Sequence, residues 1–145
     1  ILPPLLEQWR VTVSADAFIA AWLEHERAID TALLGQIQRI RASGLKCYLG
    51  TNQETNRAQY MKYDMGLEAA LDGVFISSEL KAKKPQPEFY ARVQALLELP
   101  ASSILLWDDS PANVAAALEA GWQAELYTTF DQFELRLRQY TRAAA

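Results

Sequence analysis

The sequence predicts an α/β domain built on a parallel β-sheet. Three observations carry that expectation. Short apolar runs recur at Leu45–Gly50, Val74–Ile76, Ile104–Trp107 and Gln123–Tyr127. Between them lie longer stretches with apolar residues at helical spacing. Each connection is long enough for a crossover, so successive strands run parallel. Together these features describe a Rossmann-like sheet with helices on both faces.

The elements follow in order. In residues 1–30 no strand-like run occurs. Ser14 and Asp16 suit a helix start, and Phe18, Ile19, Trp22 and Leu23 recur at helical spacing. A second helix carries Leu33, Leu34, Ile37 and Ile40 on one face, with Gly44 to end it. The first strand, Leu45–Gly50, runs into Thr51 and Asn52. Glu54–Met65 is helical with Ala58, Met61 and Met65 inward, and Asp72-Gly73 leads into the second strand, Val74–Ile76. Ser77–Lys84 is read as a loop. Pro85-Gln-Pro87 opens a helix with Phe89, Val93, Leu96 and Leu97 on one stripe, since proline in the first turn has no amide hydrogen to lose. Pro100–Ser103 is a turn before the third strand. A helix from Asn113 through Val114, Leu118 and Ala120 stops at Gly121. After the fourth strand comes a last helix with Phe130, Phe133, Leu137 and Tyr140 inward, and a frayed end at Ala143–Ala145.

With 145 residues the chain can bury one sizeable core. Half of it is apolar and 22% is charged, which excludes a disordered chain. A net charge of -4 gives no reason to expect nucleic acid as a partner. The single cysteine, Cys47, precludes an internal disulfide and fits a cytoplasmic setting. No apolar run approaches the ~18 residues that cross a membrane. Residues 1–6 have no basic residue ahead of their apolar part, so they do not read as a signal peptide.

Chemistry is expected at the carboxyl ends of the strands, where open parallel sheets bind ligands. Three polar clusters lie there: Thr51-Asn52, the stretch from Lys84 to Tyr90, and Asp108-Asp109 with Ser110 and Asn113. Taken singly, each has an ordinary reading: a turn or cap, a solvated basic loop beside Lys81 and Lys83, and a helix cap. Taken together, a hydroxyl, an amide, an ammonium and a carboxylate pair suit a phosphate held beside a hard cation. Thr51 and amide groups near Asn52 would bond phosphate oxygens. Lys84 would neutralise the phosphate and a nearby carboxylate. Adjacent carboxylates repel unless a cation such as Mg2+ lies between them, so Asp109 is expected to ligate it and Asp108 to support it.

Leu49-Gly-Thr-Asn52, then Lys84-Pro-Gln-Pro-Glu-Phe-Tyr90, then Leu106-Trp-Asp-Asp-Ser-Pro-Ala-Asn113 with Ala117 and Ala120-Gly121, resemble the second, third and fourth motifs of the haloacid dehalogenase superfamily. The resemblance spans about residues 14–130. It is nearest to the branch of small bacterial sugar-phosphate and nucleotide phosphatases. It implies a Mg2+-dependent phosphatase acting on a small phosphorylated metabolite through an aspartyl-phosphate. It also implies that residues 1–30 are a remnant of a helical cap and 31–145 the α/β core.

The family's first motif, Asp-x-Asp-Gly after a strand, supplies the nucleophile. Asp16, Asp30, Asp64 and Asp72 do not follow an apolar strand, so none fits. In the family that first strand is central, between the strands ending at Thr51 and Trp107. The expectation is therefore that roughly 50 to 90 residues precede Ile1 in the parent protein, and that this chain alone has no turnover. Two rivals share the scaffold: a 2-haloacid dehalogenase, which needs no Mg2+, and a catalytically inactive binding module. The carboxylate pair argues against the first. A phosphoacceptor receiver is set aside because its acidic pair comes first in the chain. His25 reads as surface, Cys47 as core in a buried strand, and Trp9, Trp22, Trp107 and Trp122 as packing. Tyr60 and Tyr63 are open to a role in a substrate pocket.

Overall fold

The computed structural model describes residues 2–143, with side chains described through Tyr140. The α/β order is as expected: α1 (Leu2–Gln8), α2 (Ala15–His25), α3 (Thr31–Ala42), β1 (Tyr48–Thr51), α4 (Thr55–Gln59), α5 (Leu67–Ala70), β2 (Gly73–Ile76), α6 (Ser77–Leu80), α7 (Pro87–Leu97), β3 (Leu105–Asp108), α8 (Pro111–Glu119), β4 (Gln123–Leu126) and α9 (Phe130–Ala143). Of the expected frayed end, Ala143 closes α9, and residues 144–145 lie outside the described residues.

Both ladders are parallel. β1 pairs with β2 from Tyr48↔Gly73 to Thr51↔Ile76, and β3 pairs with β4 from Leu105↔Gln123 to Asp108↔Leu126. Among the described residues β1 has no other ladder partner than β2, and β3 none other than β4. The sheet is therefore two parallel halves, each with two edges that have no ladder partner among the described residues. The registers bring Thr51 and Asp108 to the carboxyl tips of their strands.

Local chemistry sets the helix ends. Ser14 caps α2 by accepting from Ala17 N at 3.2 Å, and Asp30 caps α3 by accepting from Leu33 N at 2.9 Å. Prolines open α7 and α8. Gly121, at φ +83°, takes the left-handed turn between α8 and β4. Asp72 ties the start of the first ladder: it accepts from Cys47 N at 2.9 Å, Arg41 Nε at 2.8 Å and Lys46 Nζ at 3.2 Å. Those bonds hold its carboxyl well below the usual carboxylate range.

The core joins the two motifs that matter. Phe89, Tyr90 and Val93 of α7 pack with Ala117 of α8, Trp122 and Ala82. Tyr90 meets Phe89 at 5.6 Å and Trp122 at 5.3 Å, both edge to face. Each large side chain buried this way contributes about 1.5–3 kcal/mol.

Several sequence expectations are corrected. Of the stripe expected on α7, Phe89 and Val93 are buried together with Tyr90, whereas Leu96 is exposed. The first ladder starts at Tyr48, not Leu45, so half-buried Cys47 precedes the strand. Trp9 and Trp22 are exposed, whereas Trp122 is buried and Trp107 packs edge to face on Phe133 at 4.8 Å. The helix expected through Met65 gives way at Tyr60–Asp64 to a π-helical turn. The segment 77–84 opens with the helical turn α6.

Candidate active site

Lys84 and Asp108 form the centre. Lys84 Nζ donates to Asp108 Oδ2 at 2.5 Å, and the two side chains are only 9% and 4% exposed. The other oxygen of Asp108 accepts from Ser110 N and from Asn113 Nδ2, each at 2.9 Å. Burial alone would raise the Asp108 pKa. The Lys84 ammonium, the Ser110 amide and the Asn113 carboxamide outweigh it and hold the carboxyl below its ordinary value. Asp108 is thus a fully engaged anion.

The neighbouring Asp109 differs. It is exposed, and no hydrogen bond or ion pair to it is found among the described residues. The two adjacent carboxylates therefore have separate tasks. Asp108 fixes Lys84 and the turn into α8, while Asp109 is the one free to hold a cation. No group of three metal-ligating side chains occurs among the described residues. One free carboxylate matches a hard cation such as Mg2+, which takes one or two protein carboxylates and completes its shell with water and phosphate oxygens.

Two other elements converge on this centre. Asn52, just past β1, clamps the Lys84 backbone reciprocally: its Nδ2 donates to Lys84 O at 2.8 Å, and Lys84 N donates to its Oδ1 at 2.9 Å. Asn52 is thus a tie between loops, and the amide of Gln53 is taken by Ser77 Oγ at 3.0 Å. The Thr51 side chain, half-buried at the tip of β1, has no hydrogen-bond partner among the described residues. Tyr90, fully buried in α7, donates its hydroxyl to Asn113 O at 2.8 Å. Burial, with the Asp108 charge nearby, pushes that phenol up to about 12.

The structure therefore brings together Lys84, Asp108, Ser110, Asn113 and Asn52, and places Thr51 and Asp109 on the same sheet edge. Sequence reasoning missed the part of Tyr90, although it closes the motif that begins at Lys84. It also missed Ser77, whose hydroxyl ties β2 to the loop after β1; a serine immediately after a strand was the available signal. Of the tyrosines open to a substrate role, Tyr60 donates to Glu24 Oε2 at 2.6 Å, joining α2 to the π-turn, and Tyr63 points to solvent. Arg27 and Arg57 reinforce that junction through Asp64 O and Glu26.

Fold and site define an α/β protein whose polar residues gather at the carboxyl ends of parallel strands. The chain belongs to the haloacid dehalogenase-like hydrolase family, which it matches over residues 6–121. It is 24% identical over 127 residues to a phosphorylated carbohydrates phosphatase of Thermotoga maritima, covering 83% of this chain. The chain spans 59% of the length of that relative. Among solved structures, it is similar to a family enzyme of Bacteroides thetaiotaomicron in complex with magnesium and inorganic phosphate (TM-score 0.73, 23% identity, 87% of this chain and 67% of that one). It is also similar to the L-2-haloacid dehalogenase of Xanthobacter autotrophicus (TM-score 0.55, 20% identity, 66% of this chain and 40% of that one). These likenesses are of fold. No helix among the described residues is long and apolar enough to cross a membrane.

Proposed function

We propose that the protein is a Mg2+-dependent phosphatase of a small phosphomonoester, and that this chain supplies the phosphate- and cation-holding part of its site. The observation that carries the reading is the division of labour at the tip of β3: Asp108 is locked to Lys84 at 2.5 Å while Asp109 stands free beside it. A spare carboxylate at this position has most use beside a cation, which favours a cation-assisted site over a dehalogenating one.

In this reading Asp109 holds Mg2+, which when bound supplies charge for the phosphoryl oxygens. Asp108 holds the Lys84 ammonium in place through their 2.5 Å contact. The Lys84 ammonium, donating one hydrogen to Asp108, has two more for a phosphate oxygen. The Thr51 hydroxyl adds a further donor, and Asn52 holds the loop that presents Lys84. Donors fixed in advance stabilise developing charge without reorganising during the reaction. In this reading the nucleophilic aspartate comes from a further strand between β1 and β3, and residues 1–30 are part of a helical cap. The phosphatase resemblance in the Thermotoga relative supports a phosphorylated carbohydrate or similar small metabolite as substrate.

The reading is tested by calorimetric titration of the chain with Mg2+ and inorganic phosphate. Each should strengthen binding of the other, Asp109→Asn should abolish the Mg2+ heat, and Lys84→Met should abolish the phosphate heat. Phosphate binding that ignores both Mg2+ and the Lys84→Met change would remove the basis for this site.

A further inference from the structure

Beside the Lys84 loop, and on the same edge of the sheet, lies a cleft of about 510 Å³ that the catalytic reading does not use. Its floor is built by the residues that follow β1 and β2, and its wall by the turn before α7. The polar atoms facing it are unequally committed. The only carboxylate in the lining, Glu54, is spent on the start of α4: its two oxygens accept from Asn56 N at 2.8 Å and Arg57 N at 2.5 Å. The Gln86 carbonyl oxygen accepts from Lys83 N at 3.1 Å.

What remains is rich in donors. The ammonium groups of Lys81 and Lys83 have no ion-pair partner among the described residues, and the carboxamide nitrogens of Gln53 and Gln86 have no acceptor there. The hydroxyl of Ser78 is buried and has no partner at all among the described residues, an unusual condition for a buried polar atom. Two unpaired cations and free amide donors, with the one anion tied off, describe a surface that lacks an acceptor bearing negative charge.

We propose that this cleft binds an anionic group, a phosphate or a carboxylate, using Lys81 and Lys83, with the buried Ser78 hydroxyl behind its lining. The group is either the second anion of a doubly charged phosphomonoester substrate or a separate anion. Only the first of these rests on the phosphatase reading. The Asn52 clamp on Lys84 places the cleft next to the proposed phosphate site, because Asn52 lines the cleft and bonds the Lys84 backbone at 2.8 and 2.9 Å.

The test is a titration of the isotopically labelled chain with inorganic phosphate, followed by amide NMR. Signals of Ser78, Lys81 and Gln86 report on the cleft, and those of Trp107 and Ser110 on the proposed catalytic site. The cleft signals should shift and saturate. The Lys81→Asn, Lys83→Gln double variant should weaken that response by about tenfold or more, the loss of two charge-assisted contacts, and leave the Trp107 and Ser110 response unchanged. Asparagine suits position 81 because that residue sits at φ +54°, and both lysines are exposed, so the variant keeps the fold. Cleft signals that stay still, or that shift equally in the double variant, overturn the proposal. Silence at Trp107 and Ser110 with a responding cleft would instead overturn the phosphatase reading and leave this one standing. Butanediol bisphosphate against butyl phosphate separates the two sources. One joint isotherm, about tenfold tighter or more for the bisphosphate, assigns the cleft to the substrate's second group. Independent isotherms assign it to a separate anion.

Discussion

Replacing Lys84 with methionine should cost stability in a way that depends on pH. Methionine keeps most of the stem's packing and removes the charge. Asp108 would then be a buried carboxylate, 4% exposed at its side chain, without its cation. Breaking a buried pair from one side costs about 3–5 kcal/mol, because the remaining charge is uncompensated. Asp108 keeps two donors, from Ser110 and Asn113, so the lower end, about 3 kcal/mol near pH 7, is expected. The pH dependence has a definite sign. In the wild type the Asp108 pKa is depressed on folding, so its contribution is present above the unfolded value of about 3.9 and is lost as pH falls through the folded value. In the variant, burial still raises the pKa and Lys84 no longer lowers it. Asp108 therefore takes up a proton at higher pH and sheds the penalty. The difference between the two proteins should shrink steadily as pH falls from about 7 to about 4. Urea unfolding followed by tryptophan fluorescence at several pH values measures it. Lys62→Met is the internal control. Its partner Glu79 is 43% exposed, and its loss should cost about 1 kcal/mol or less. A Lys84→Met cost as small as the control, or one that does not change with pH, would refute the description of this pair.

Three further outcomes are expected. Asp109→Asn should leave stability within about 0.5 kcal/mol of wild type, whereas Asp108→Asn, which strands a buried ammonium, should cost about 3 kcal/mol or more; thermal unfolding separates the two. Gly121→Ala should cost about 1–2 kcal/mol in urea unfolding, since alanine must adopt φ +83° there. Asp72→Asn should lower the melting temperature near neutral pH and flatten its acid dependence. Because Asp72 is depressed in the fold, its contribution is present above about pH 3.9 and disappears as pH falls below it.

Much of this protein is legible in its sequence. Strands and crossovers follow from short apolar runs between helical periods, and the polar residues at strand ends marked the site edge. Features that depend on distant contacts were not legible. The side-chain clamp of Asn52 is one of them, because nothing local shows that Lys84, 32 residues on, claims both polar atoms of its carboxamide. Asp108 and Asp109 look alike as letters; only the strand register buries one and exposes the other. The π-turn at Tyr60–Asp64 escaped because five residues are too few to distinguish its period from an α-helical one. Leu96 falls on the apolar stripe of α7 by its spacing, yet it is exposed. A leucine can remain exposed at little cost when Phe89, Tyr90 and Val93 already form the buried face of its helix.

The most direct test of the central claim is phosphate release from a panel of small phosphomonoesters by the chain extended through its proposed upstream strand. It would be run with Mg2+ and with a chelator, alongside chloride release from 2-chloropropionate. The account predicts phosphate release that the chelator abolishes and that Lys84→Met and Asp109→Asn each suppress, with no chloride released. Chloride release that survives the chelator, without phosphatase activity, would contradict it.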